Sequence, residues 1–147
     1  MKSIFKPDFA NYLNHSILKA ASSIKYRVAD LASNTEADLF NHKTLVIWSG
    51  ASDNTLWNDK QVNWAFRAIH DACHLKSGLG FSVADEVTLG DYQSSLVACP
   101  YIRAITQCEI TEQALYYKQN GVFVADQVAF TKSILQNNNL FKGVLNV

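Results

Sequence analysis

Apolar positions recur at helical intervals through most of this chain. From Asp8, "DFANYLNHSILKAASSIKYRVADLAS" places Phe9, Leu13, Ile17, Ala20 and Ile24 three or four residues apart, and Asp8 is a suitable cap, so the pattern predicts a helix. "KTLVIWSGASDNTLW", from Lys43, breaks that rhythm: β-favouring residues run together and then meet Ser-Gly and Asp-Asn, which reads as a short strand or extended segment leading into a polar loop. A second helix is expected from Asn58 or Asp59 to Lys76, with Val62, Phe66, Ile69 and Cys73 on one side and Gly78 and Gly80 as the stop. Ser82 and Asp85 form a capping-box-like start for a third helix over about Val83 to Ala98. Pro100 suits the first turn of a fourth, which carries Ile102, Ile105, Cys108 and Leu115 and ends at Asn120-Gly121. A fifth runs from about Ala125 to Gln136, with Val128, Thr131 and Ile134 or Leu135 on one side, and the asparagines 137–139 close it. The expectation is a mainly α chain, a single-domain helical bundle of about five helices over residues 1–147, with one short strand or extended segment.

Length and composition narrow this picture. With 147 residues, 48% of them hydrophobic, the chain suffices for one core and falls short of two ordinary domains. Thirteen Lys and Arg balance thirteen Asp and Glu, so no overall field draws it to nucleic acid or to an anionic membrane, and a small-molecule partner is the expectation. The three cysteines, Cys73, Cys99 and Cys108, are odd in number and form no Cys-x-x-Cys pair, which argues against a disulfide framework. The first fifteen residues lack the apolar middle of a secretory signal, and no run of about 18 apolar residues offers a membrane span. A cytoplasmic location follows as an expectation.

The candidate chemistry lies in "AFRAIHDACHLKSG", residues 65–78, where His70 and His74 stand four apart and so stack one turn above the other on a helix. Neutral imidazoles so arranged can reach one divalent cation, and zinc is favoured over manganese or iron. The bland alternative is a partly buried pair satisfied by carbonyls or carboxylates. Two glutamates on apolar stripes weigh against it, because a bare buried charge costs several kcal/mol or more. Glu86 shares a stripe with Leu89, Gln93 and Leu96; Glu109 lies between Ile105 and Glu112 on the face of Ile102 and Tyr116. The first turn of a helix would favour an acid at Glu86 without any metal, whereas Glu109 is mid-helix. Together His70, His74, Glu86 and Glu109 would make a mixed nitrogen and oxygen site, with Gln93, Gln113 and Tyr116 placed to orient ligands or substrate.

Asp71 admits three readings. It is a surface residue or a hydrogen-bond partner of a histidine; or "HDACH" varies the zincin pattern His-Glu-x-x-His with Asp71 as general base; or "IHDACH" resembles, over six residues, the His-Asp doublet of the HD-domain phosphohydrolases. That family also uses an upstream histidine, for which His42 or His15 stands available, and a downstream aspartate, for which Asp85, Asp91 or Asp126 does. From Trp57 to Phe130 the succession "W.D..VN.AFR.IHD..H", "GFS...E......Q" and "E...Q..YY...G.F..DQ..F" resembles a family of small uncharacterised proteins encoded mainly by bacteriophages and their hosts. The resemblance implies that His70, Asp71, His74, Glu86, Glu109 and Gln113 belong together and that the cytoplasm is that of an infected bacterium; it implies no activity.

The function expected from these residues is metal-dependent hydrolysis, of a phosphate ester or nucleotide. The metal lowers the pKa of a bound water, Asp71 or Glu112 accepts its proton, and Arg67, one turn before His70, steadies charge on the substrate. Two alternatives stand beside it: a noncatalytic viral inhibitor or binding protein with a structural metal or none, and a zincin-like peptidase. Neither histidine has a glutamate three residues before it, which argues against a ferritin-like redox centre. "SGASDN" carries no nucleotide-loop signature, Trp48, Trp57 and Trp64 read as core packing, and Cys73 reads as a buried inert thiol.

Overall fold

The structure is a computed structural model that describes residues 2–30, 36–41 and 44–146. It is mainly α with one small sheet, as the periodicity predicts. The backbone gathers into two compact units, one of Met1–Ser3 with Pro7–Gly78 and one of Ile4–Lys6 with Leu79–Val147.

In the first unit, helix α1 (Pro7–Ala21) starts with proline at its first position and buries Leu13, Ile17 and Ala21 at intervals of four. The expected continuation of this helix does not occur. Ser22 and Ile24 donate backbone N–H to Lys19 and Ala21 in a closing turn, and the chain then forms strand β1 (Tyr26–Ala29). The last residues of the expected helix, 31–33, lie outside the described ones. After helix α2 (Glu36–Asn41), strand β2 (Leu45–Trp48) pairs with β1 in parallel, Tyr26 opposite Leu45 and Ala29 opposite Trp48. The extended segment expected from Lys43 is thus a strand, and its partner comes from what reads locally as a helix tail. Leu45, Val46 and Ile47 are all buried, which is why β2 reads as an unbroken apolar run.

Helix α3 (Lys60–Ser77) carries the histidines, and both its ends are set by side-chain chemistry. The Asp59 carboxylate accepts from the backbone N–H of Gln61 and Val62, and Gly78, at φ 74°, donates its N–H to the His74 carbonyl. Val62, Ala65, Phe66 and Cys73 form the buried stripe, with Trp57 packed on Phe66 at 5.2 Å between ring centres. Asn14 of α1 donates to the Trp57 carbonyl at 3.1 Å and ties the loop before α3 to α1.

In the second unit, helix α4 (Val83–Ser95) is capped by Ser82, whose hydroxyl accepts from the Asp85 N–H, while Asp85 in turn accepts from the Gly80 N–H at 2.9 Å. It stops short of the expected Ala98, closing in a tight turn in which Leu96 and Val97 donate backbone N–H to the Gln93 and Ser94 carbonyls. The expected fourth helix is one run with a change of winding: helix α5 (Pro100–Thr106), a π-helical segment (Gln107–Glu112) and helix α6 (Gln113–Asn120). Gly121, at φ 70°, ends it. Helix α7 (Gln127–Leu135) is capped by Asp126 and buries Val128, Thr131 and Leu135. Phe5 bridges Leu145 in antiparallel fashion, so Ile4 and Phe5, both buried, add to the core of this unit.

Candidate functional site

On α3 the periodicity that buries Val62 and Phe66 brings Asn63, Arg67, His70 and His74 onto a neighbouring stripe, within about 60° of arc. The Nε2 atoms of His70 and His74 are 3.1 Å apart, and the rings meet edge to face, 4.6 Å between centres at 73°. His74 is 1% exposed and His70 half-buried. Two nitrogens each about 2.0–2.1 Å from one ion are separated by about 2.9 Å in octahedral and about 3.4 Å in tetrahedral coordination. The imidazole pair falls between these values without any rearrangement of the helix. With both rings neutral and no ion, one Nε2 donates to the other.

The remaining expected ligands lie in the second unit. Glu86 occupies the first turn of α4 and is half-buried. Glu109 sits inside the π-helical segment. Its Oε1 accepts from the Thr131 hydroxyl of α7 at 2.8 Å, and its Oε2 faces Gln113 Nε2 at 3.5 Å. Part of its surface is open, yet protein surrounds the carboxyl closely enough that loss of hydration pushes its pKa up to about 7, the Thr131 hydrogen bond opposing that rise. Glu109 is thus the unusual acid that its mid-helix apolar setting predicts, with hydrogen-bond partners supplied by its own unit. Thr131 is the polar residue that the site prediction lacks; its place among Val128 and Leu135 on the buried side of α7 was the available signal. Gln93 is buried on α4, and Tyr116 packs edge to face on Phe130 at 5.6 Å.

Arg67 reaches back to the loop after β2. Its Nη1 donates to the carbonyls of Trp48 and Gly50 at 2.7 and 2.6 Å, its Nη2 to that of Ala51 at 3.2 Å, and the guanidinium lies 5.4 Å from the centre of the Trp48 ring. Three of its five N–H groups therefore hold the loop after β2. Burial holds its pKa below the ordinary value, and the Asp71 charge one turn on partly offsets that. Asp71 is half-buried, as is Glu112. Burial raises the Cys73 thiol and pushes Cys108 up to about 12, with Glu109 and Glu112 adding to the latter, so both remain protonated and unreactive. Of the histidines and aspartates considered for the HD-type reading, His42 lies outside the described residues, and Asp85 and Asp126 are engaged as helix-start acceptors.

Among the described residues no helix is long and apolar enough to cross a membrane. Comparison of the chain with protein-family models, with curated proteins and with solved structures gives no match.

Proposed function

We propose that the chain is a metal-dependent hydrolase in which His70 and His74 of α3 hold one divalent cation, zinc by preference, and that a small-molecule ester is its substrate. The observation that carries the reading is the 3.1 Å spacing of the two Nε2 atoms on one face of α3. Two neutral imidazoles one helical turn apart are donors chemically suited to such an ion. When bound, the ion would supply acidification of a coordinated water. Asp71, one residue after His70, is the carboxylate assigned to take up the proton. Glu109 is given no ligand role in this reading, its carboxyl being bonded to Thr131 within its own unit. With Arg67 committed to backbone carbonyls, the case for phosphate esters rests on the His-Asp doublet, and they are the first substrates to try.

The test is elemental analysis of protein purified without added metal, alongside a panel of chromogenic phosphate and carboxylate esters. One equivalent of metal in the wild type, lost in His74→Ala, supports the imidazole site, and loss in Glu86→Gln or Glu109→Gln adds that glutamate to the ligands. Metal-free wild type, or full occupancy in His74→Ala, removes the proposal.

One observation favours a second reading, that of a noncatalytic binding protein. Val122 and Phe123, in the connection between α6 and α7, are 59% and 77% exposed, and Tyr117 stacks on Phe123 at 4.6 Å. An apolar tip of this kind suits contact with another protein. In that case metal removal leaves both stability and binding unchanged.

A further inference from the structure

The loop that follows β2 is fastened almost entirely by side chains of α3. Ser49 N–H pairs with the Ala29 carbonyl and ends the sheet, and beyond it the fastening changes character. Asn63 Nδ2 and Trp64 Nε1 both donate to the Ser52 hydroxyl, at 3.1 and 3.0 Å, and Trp64 also reaches the Ser49 carbonyl at 3.3 Å. Ser52 itself donates to the Gly50 carbonyl at 3.1 Å. Arg67 gathers three carbonyls, of residues 48, 50 and 51, around one guanidinium. Gly50 has no room for a side chain because the Trp48 indole lies over it, and Ala51 is held at φ 51°, in the left-handed region. An exposed alanine adopts that backbone only where its surroundings impose it.

The residues that impose it share a helix face with the imidazoles. Asn63, Arg67, His70 and His74 follow one another at intervals of four, three and four. Along the axis His70 lies about 4.5 Å beyond Arg67. Arg67 itself reaches toward the loop from the turn before His70. The loop therefore occupies the stretch of α3 immediately before the pair, on the same side.

We propose that the Trp48–Ser52 loop is a wall on the approach to the imidazole pair, and that Arg67 is its latch: a positioning residue that slows departure of a cation from His70 and His74 without touching it. This rests on the metal-binding reading above. The two are separated by measuring equilibrium and rate independently.

The experiment loads the full chain with zinc or cobalt(II), confirms stoichiometry, and follows metal release to an excess of a chromogenic chelator in wild type, Arg67→Lys and Ser52→Ala, with amide hydrogen exchange over residues 49–52 read in parallel. Lysine keeps the charge but cannot span three carbonyls, and Ser52→Ala removes the acceptor of Asn63 and one of the two of Trp64 while leaving arginine in place. The expected result is one equivalent bound in all three, release at least tenfold faster in both variants, and faster exchange in the loop. A loosened loop with release at the wild-type rate overturns the latch and leaves the metal site standing. Wild type that binds no metal overturns both. If Arg67→Lys does not fold, Ser52→Ala decides by the same criterion.

Discussion

A methyl group at Gly90 would collide with the Thr111 hydroxyl: the glycine of α4 and the threonine of the π-helical segment touch backbone to side chain, with Ile110 and the Thr111 backbone nitrogen closing the same space. Close approach at this point lets α4 lie directly on the segment that carries Glu109. Gly90→Ala should destabilise the fold by about 1–3 kcal/mol, since a packed interior takes an added carbon only by shifting its neighbours. Chemical denaturation at constant slope measures this. A variant as stable as wild type would show that the contact yields freely.

The same threonine makes a second prediction. Its hydroxyl is buried and has no hydrogen-bond partner among the described residues. Thr111→Val replaces that hydroxyl by a methyl group of similar size, so stability should be unchanged or rise by about 1–2 kcal/mol. A loss larger than that, in a thermal melt, would mean the hydroxyl is satisfied in solution.

At Ala51 the strain is local and easily removed. Glycine at φ 51° incurs no Cβ clash, so Ala51→Gly should stabilise the protein by about 0.5–1 kcal/mol despite the greater freedom of glycine in the unfolded chain. Equilibrium unfolding checks it, and a destabilised variant would place the strain elsewhere.

Glu109 governs a pH dependence. Its folded pKa of about 7 stands above the ordinary 4.5, so between these values the folded chain holds a proton that the unfolded chain has released. The contribution is complete below about 4.5 and disappears as pH rises through 7; the ceiling is about 3 kcal/mol, lowered by whatever water reaches the carboxyl. Metal-free protein should therefore lose stability from pH 5 to pH 8, and Glu109→Gln should flatten that slope. Parallel slopes in the two proteins would show that Glu109 titrates normally.

What the sequence reveals here depends on how local the cause is. Asp59, Ser82, Asp126, Gly78 and Gly121 act within one turn of themselves, and the ends they mark are found close to where the pattern puts them. The imidazole pair is equally local, needing only helical geometry between positions 70 and 74. Strand β1 is not. Ile24 continues the spacing of α1, and only pairing with β2, nineteen positions away in register, decides that residues 26–29 are extended. The π-helical winding at Gln107–Glu112 has no residue signature either; it lies in the stretch that packs on Gly90 and bonds to Thr131. The carbonyls that Arg67 holds lie sixteen to nineteen residues earlier and have no mark in the sequence.

The two protonated thiols leave an experimental opening. Cys73 and Cys108 are buried and resist alkylation near neutrality, whereas Cys99, at the start of α5, is only partly covered. A maleimide dye added to the unmodified chain should therefore report from that one spot, giving a fluorescence signal for the second unit without engineering a single codon.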